Sequence, residues 1–162
     1  SERSRGLGDV YKRQMLESES TSEADKSFYL KLLIHFVGDI HQPMHIGRYE
    51  DRGGNRVNVK WFGRNTNLHR LWDSDMINSY GMSYSEFAKN LPAPEKLEIE
   101  FERDDLIDWV NDIHSHTRDI YKGVSNDDRL GYEYQYKNFP IVRELILKGG
   151  MRLAAILNYL FD

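Results

Sequence analysis

The hydrophobic pattern of the chain predicts three long helices. The first runs from a Ser20-x-x-Glu23 capping box to about residue 40, the second covers about 104–121, and the third follows Pro140. The later two each have one recurring, mostly apolar face: Leu106, Trp109, Val110, Ile113, Thr117 and Ile120, then Val142, Leu145, Gly149, Leu153, Ile156 and Leu160. The glycine pair at 149–150 weakens the third helix and predicts that another helix approaches it closely.

Shorter elements lie between these helices. The segment HQPMHIGRYEDRGGN reads as a loop because it carries a proline and three glycines. Alternation over residues 56–61, followed by Gly63, predicts a strand or small hairpin. Asn67 is a favourable N-cap for a helix from Leu68 to about Tyr80.

The remaining segments are less regular. Residues 84–91 predict a short helix that the sequence Pro92-Ala93-Pro94 would end, and residues 122–138 predict a loop with local turns. Residues 1–14 have no periodicity and are expected to be an extraneous or disordered lead, with one domain over residues 15–162. The predicted fold is therefore mainly α with one small β-hairpin.

Composition narrows the possible chemistry. The chain of 162 residues is 40% hydrophobic and 30% charged, which is typical of a globular domain. Its formal charge of −4 provides no overall positive field for nucleic acid, so bound cations would have to supply positive charge at any phosphodiester site. Because the chain contains no cysteine, candidate metal ligands are histidines and carboxylates. The first 14 residues show no signal peptide.

Two H-x-x-x-D pairs, His35/Asp39 and His69/Asp73, carry the candidate chemistry, and His45 lies between them. Residues four apart share a helix face, so an imidazole and a carboxylate can converge on one cation. For one pair alone, a structural His–Asp hydrogen bond is the competing interpretation. Two pairs and a third histidine beside a glycine-rich loop favour a metal.

The helical projection gives a further argument at Asp39. It points between Phe28 and Leu32, within the predicted apolar sector, and His35 lies at the sector's edge. A buried, unpaired carboxylate costs several kcal/mol, and metal coordination or pairing removes most of that penalty. By contrast, Asp112/His116, which has the same spacing, and His114 are expected on a solvated flank.

The segment LLIHFVGDIHQPMHIGRYEDRGGNRVNVKWFGRNTNLHRLWDSDMI resembles the S-one/P-one family of zinc-dependent nucleases. Its motifs are H-x-x-x-D-x-x-Q-P-x-H, then G-G-N, then N-L-H-x-x-W-D, and the segment RELILKGGMRLAAILNYLF resembles the family's closing helix. The resemblance implies a multi-helix phospholipase C/nuclease-like domain with a trinuclear zinc cluster. Such an enzyme releases 5′-nucleotides from single-stranded RNA or DNA, and many members also remove 3′-phosphates.

The resemblance also implies roles for individual residues. His35 and Asp39 would serve a paired-zinc site, where Asp39 bridges two metals and is the candidate catalytic carboxylate. His45, His69 and Asp73 would bind the remaining zinc, completed by water.

Four other residues remain open between two interpretations. Asn55 matches an asparagine that holds the nucleobase in some relatives, and it is equally suited to a turn beside two glycines. His41 is given no ligand role by the resemblance and is expected either to support the ligands from behind or to lie at the surface. Trp61 and Phe62 are either a base-stacking surface or part of the core.

The same resemblance implies that part of the site is missing. Family members begin with a tryptophan whose amine and carbonyl bind zinc, followed by further histidine and aspartate ligands, and residues 1–34 contain neither Trp nor His. About one tightly bound zinc is therefore expected in this N-terminally truncated chain, against three in the intact fold. Catalytic competence of the fragment is open.

Three functions are compatible with these observations: a nuclease and 3′-nucleotidase acting on single-stranded nucleic acid or nucleotides, a zinc phospholipase C-like phosphoesterase, and a non-catalytic zinc-binding helical module. The G-G-N and N-L-H-x-x-W-D motifs favour the first. An extracytoplasmic location, secreted or periplasmic, is implied by resemblance alone.

Overall fold

The computed structural model describes residue 14 and residues 20–92 and 105–161. Residues 1–13 of the predicted lead lie outside the described residues. So do residues 93–94 of the Pro92-Ala93-Pro94 sequence that was predicted to end a helix. Helix α1 spans Glu23–Ile40, and its N-cap is Ser22, whose hydroxyl accepts the backbone N–H of Asp25. The predicted Ser20-x-x-Glu23 box is therefore wrong by two residues, because Glu23 is already the first helical residue.

The predicted β-hairpin is confirmed. Strand β1 (Asn58–Trp61) pairs antiparallel with β2 (Arg64–Asn67). The two connecting residues, Phe62 and Gly63, both have positive φ values, 48° and 81°, as a tight two-residue hairpin turn requires.

Three successive short helical pieces follow the hairpin: α2 (Leu68–Arg70), a π-helical turn (Leu71–Asp75) and α3 (Met76–Tyr80). They form the predicted helix, and Asn67 caps it as expected by accepting the backbone N–H of Arg70. Helix α4 (Tyr84–Lys89) begins with a capping box.

The last two helices frame the domain. Helix α5 spans Asp105–Lys122, close to its predicted bounds, and α6 spans Tyr132–Phe161. The prediction of a loop over residues 122–138 was wrong, because β3 (Asp128–Leu130) pairs parallel to β1 and α6 begins eight residues before Pro140.

Pro140 is tolerated inside α6 because it lies on the exposed side, where water can solvate the backbone carbonyl that loses its partner. The first turns of α6 are instead held by tertiary contacts. The indole of Trp72 donates to the hydroxyl of Tyr134, and the side-chain amide of Gln135 donates to the Met76 carbonyl.

The buried hydrophobic side chains form separate clusters, and each cluster packs a different set of helices and strands together. One cluster joins the hairpin and the π-helical turn to α5 and the first half of α6, and another joins α1 to α5 and the second half of α6. The close approach predicted at the glycine pair occurs at Gly149, where a Cβ atom would lie 3.2 Å from Cγ of His41. Gly150 has no such neighbour.

The buried face of α1 differs from the predicted one. Leu33, Val37 and Ile40 are buried, whereas Phe28 is 58% exposed and the side chain of Asp39 is 37% exposed. The helix has apolar residues on more than one side, so periodicity alone did not select the packed face. Burial therefore does not argue for a metal at Asp39.

Asp112 lies on a packed interface, which corrects its assignment to a solvated flank. Its carboxylate accepts from Lys148 (3.0 Å) and from Arg152 (2.8 Å), both on α6. Burial raises the pKa of Asp112, but the hydrogen bonds from Arg152 and Lys148 outweigh it and hold the pKa below its usual value. This ionic cluster clamps α5 to α6.

Arg152 extends the same cluster to His41. Its guanidinium lies 3.0 Å from Nε2 of His41, and Nδ1 of His41 lies 2.7 Å from the Val37 carbonyl. Because Arg152 can only donate, Nε2 accepts and the ring is neutral.

Within the described residues, no helix is long and apolar enough to cross a membrane.

We expect His41 to make stability depend on pH. Burial lowers the pKa of His41 from 6.5 to about 4, so between these values the folded state binds fewer protons than the unfolded state. Its contribution is complete above pH 6.5 and is lost as the pH falls towards 4. The free energy of unfolding of the wild type should fall by about 2 kcal/mol more than that of His41→Gln between pH 7 and pH 5.

Denaturant titrations of both proteins at several pH values would measure this difference. Gln has an acceptor for Arg152 but does not titrate, so it serves as the matched variant. Parallel pH profiles for the two proteins would contradict the assignment.

Candidate metal centre

Two segments bring the first three candidate ligands together. His35 and Asp39 occupy the last turns of α1, and Nε2 of His35 lies 3.3 Å from Oδ2 of Asp39. His45 lies in a 3₁₀ turn, Pro43–Ile46, which only two residues separate from the end of α1. Pro43 has a fixed φ suited to the first position of such a turn, and the Gln42 side chain caps it by accepting the Met44 N–H.

His69 and Asp73 enter from the opposite side. The Asn67 cap places His69 in the first turn of the helical segment, and Asp73 follows within the π-helical turn. A π-helical turn inserts an extra residue per turn, re-aims its side chains and is frequent at functional sites.

The structure brings His45, His69 and Asp73 to one point. One ligand atom from each residue lies within 4.8 Å of the other two, and the two imidazole rings stack with their centroids 5.2 Å apart. Donor atoms of a tetrahedral zinc site lie about 3.4 Å apart when the bonds are about 2.1 Å. The donors are two imidazole nitrogens and one carboxylate oxygen, which are ligand types that zinc takes, so the residues present fit zinc.

Asp39 adjoins this cluster. Its Oδ1 lies 3.2 Å from Nδ1 of His45, and Nε2 of the same ring lies 3.3 Å from Oδ1 of Asp73. His35, Asp39, His45 and Asp73 thus form a continuous row of alternating imidazoles and carboxylates. His35 is its most open member, with 66% of its side chain exposed.

The orientation of His69 depends on Gly53, a motif residue for which the sequence predicted no role. Nδ1 of His69 lies 2.9 Å from the carbonyl oxygen of Gly53, so Nδ1–H donates and Nε2 is available to a metal. Gly53 has φ +65°, and a Cβ there would lie 2.3 Å from the Met44 carbonyl oxygen. Only glycine meets both demands.

Gln42 is the second residue that was missed. While its oxygen caps the 3₁₀ turn, its amide nitrogen lies 3.4 Å from Oδ1 of Asp73, at the outer limit of hydrogen bonding. Both Gln42 and Gly53 belong to the quoted motifs, Q-P-x-H and G-G-N, so a motif position without an assigned ligand role was the available signal.

The other candidates have different partners in the structure. The amide of Asn55 donates to the Arg52 carbonyl (2.8 Å), as in a turn. Trp61 is buried in the core, and Phe62 is half-exposed and packs edge-on against Tyr132. His114 contacts Arg118 and is not part of the cluster.

An apolar cleft of about 320 Å³ adjoins the cluster between α1 and α6. Gln42 and Asp73 are among the polar residues that line it, and Gly38 and Gly149 line it as well.

The family model for S1/P1 nuclease matches residues 9–162. The chain belongs to the S1/P1 nuclease family. It is 38% identical to Endonuclease 1 of Arabidopsis thaliana over 152 residues, which cover 82% of this chain and 49% of that protein.

Two further relatives agree. Endonuclease 2 of Arabidopsis thaliana is 33% identical over 93% of this chain and 59% of its own length, and Nuclease S1 of Aspergillus oryzae is 33% identical over 91% and 58%. The chain thus spans about half the length of these relatives.

The contact at Gly53 predicts a difference between two glycine substitutions. Gly53→Ala and Gly63→Ala both place a side chain at positive φ, but a Cβ at Gly63 has no neighbour within 4 Å. We expect Gly53→Ala to lower the free energy of unfolding by about 2 kcal/mol more than Gly63→Ala, because the Met44 carbonyl must move. Chemical denaturation would measure both. Equal losses would show that the loop yields without cost.

Proposed function

We propose that the protein of which this chain forms part is a zinc-dependent phosphodiesterase that hydrolyses single-stranded RNA or DNA to 5′-nucleotides, with 3′-nucleotidase activity. The observation that carries the proposal is the convergence of His45, His69 and Asp73 within 4.8 Å. Family membership supports a nuclease over another use of that site.

The residues of this chain divide between two metal positions in this proposal. His45, His69 and Asp73 would supply three donors for one zinc, and a fourth position would be left for water or substrate. His35 and Asp39, which lie 3.3 Å apart, are the residues offered to a neighbouring zinc pair. Asp39 contacts both His35 and His45, so it lies where the two positions meet.

Bound zinc ions would supply the reaction with an activated water, a polarised phosphoryl group and a stabilised leaving oxygen. The chain's own task is to hold the donors rigidly. Gly53 keeps Nε2 of His69 directed towards the metal position, and the Gln42 cap keeps His45 opposite Asp73. The carboxylates of Asp39 and Asp73 would attract zinc and offset part of its charge. The bound zinc would in turn attract the phosphate groups of the substrate, which the net charge of −4 does not.

An extracytoplasmic location also belongs to the proposal, since it rests on family resemblance.

Asn55 is proposed as a nucleobase contact that swings out of its present turn. Its hydrogen bond to Arg52 must break for that role.

The first prediction of this proposal concerns metal binding by the chain. We expect about one tightly bound zinc per chain, because one three-donor set converges among the residues that the structure describes. His69→Ala should abolish that binding, whereas His116→Ala should retain it, since His116 is not among the converging residues. Metal analysis after dialysis and competition with a chromophoric chelator would measure both. Three tightly held zinc ions in the wild type, or equal binding by the two variants, would contradict the donor assignment.

The second prediction concerns activity. We expect the 162-residue chain to cleave single-stranded DNA or RNA weakly or not at all. Fusion to the N-terminal segment of a family relative should restore cleavage that a chelator removes. Asp39→Ala should then abolish turnover, and Ser79→Ala, which removes only the hydroxyl that accepts from the indole of Trp61, should not.

Two results would count against this proposal. Equal rates for the short chain and the fusion would show that the segment present here is sufficient. Hydrolysis of phosphatidylcholine without cleavage of nucleic acid would assign the site to a phospholipase instead.

A further inference from the structure

Helix α5 contacts the segment of residues 43–54, which joins His45 to the glycine pair, at two points one helical turn apart. The buried hydroxyl of Thr117 lies 2.9 Å from the Pro43 carbonyl, at the start of the 3₁₀ turn that carries His45. Four residues later, the hydroxyl of Tyr121 donates to Oδ1 of Asp51 (2.8 Å) and accepts the backbone N–H of Arg48 (3.2 Å).

Tyr121 is fixed in place by its surroundings. Its ring is buried, and the Arg48 guanidinium lies over it, 4.3 Å from the ring centroid. A Cβ at Gly47 would lie 2.7 Å from Cα of Gly53 and 2.8 Å from the Tyr121 hydroxyl. The backbone segments at Gly47 and Gly53 therefore meet beside this hydroxyl without room for a side chain at Gly47. Burial raises the pKa of Tyr121 to about 12, so the hydroxyl stays protonated and able to donate.

Asp51 passes this restraint on to the metal centre. The same oxygen that accepts from Tyr121 also accepts the backbone N–H of Gly54, at 2.7 Å. Gly54 follows Gly53, whose carbonyl accepts from Nδ1 of His69. The route from the helix to the imidazole is therefore short: one hydroxyl, one carboxylate oxygen, one glycine pair and one ring nitrogen.

We propose that Tyr121 and Asp51 are positioning residues for the metal centre, which act by fixing the Gly53 carbonyl that orients His69. The inference rests on the proposed zinc-binding role of His45, His69 and Asp73. Loss of the hydroxyl or of the carboxylate acceptor frees the glycine pair to rotate. The hydrogen bond that directs Nε2 of His69 to the metal is then lost for part of the time, and zinc binding weakens although every ligand remains.

The test measures zinc affinity in the full chain by competition with a chromophoric chelator. Tyr121→Phe keeps the ring and its contact with Arg48 but removes the hydroxyl. We expect its zinc dissociation constant to rise about tenfold, the lower end of the range for residues that orient metal ligands. Asp51→Ala should raise the constant at least as much.

Asp51→Asn separates positioning from charge. The amide oxygen can still accept from both Tyr121 and Gly54, so affinity should stay within about twofold of the wild type. Ser79→Ala is the matched stability control, because it removes a hydrogen bond from the indole of Trp61 (2.9 Å) outside the metal centre. It should lower thermal stability without changing zinc affinity.

The visible spectrum of the cobalt-loaded protein provides a second readout that a general loss of stability would not change. We expect the cobalt bands to shift in Tyr121→Phe and Asp51→Ala and to stay unchanged in Asp51→Asn and Ser79→Ala. If Tyr121→Phe does not fold, the Asp51→Ala and Asp51→Asn pair decides alone.

The outcomes distinguish the two levels of the argument. Wild-type affinity and spectrum in Tyr121→Phe and Asp51→Ala would overturn the positioning role while leaving the metal centre intact. Absence of zinc binding in the wild type, or unchanged binding in His69→Ala, would overturn the metal centre and the positioning role with it.

Discussion

The close approach of two backbone segments at Gly53 is the constraint on which the candidate metal centre depends. The glycine must adopt positive φ, avoid the Met44 carbonyl and present its own carbonyl to His69, all at once. A side chain at this position would push Gly53, whose carbonyl holds His69, away from the 3₁₀ turn that carries His45. Because metal ligands must converge to within a few ångströms, such a displacement would leave the donors too far apart to share one ion.

The rest of the fold holds the two sides of that contact in place. On one side, Asp112 and Arg152 tie α5 and α6 to His41, immediately after α1. On the other, the N-cap at Asn67 and the indole of Trp72 anchor the segment that carries His69. Neutral His41 suits this position because Arg152 needs an acceptor there, and protonation would place two cations in a buried space.

Family membership and site geometry support the proposal at different levels. The S1/P1 nuclease model covers residues 9–162, whereas the alignments cover about half of each relative. Within the described residues, one three-donor set converges, and His35 with Asp39 forms a neighbouring pair. The proposed division into one complete and one partial metal position rests on this donor geometry, and the weak activity expected of this chain follows from that proposal.

Local chemistry in the sequence determined the helices, the hairpin and the five candidate ligands. Asn67 as an N-cap, the tight turn at Phe62-Gly63 and the i, i+4 pairs depend on neighbours only a few residues away. Tertiary packing decided the buried face of α1, the start of α6 before Pro140 and the partners of Asp112. It also decided the tautomer of His69, because the Gly53 carbonyl lies sixteen residues away along the chain. Such contacts form only when distant segments meet, and no local pattern encodes which carbonyl will face which ring.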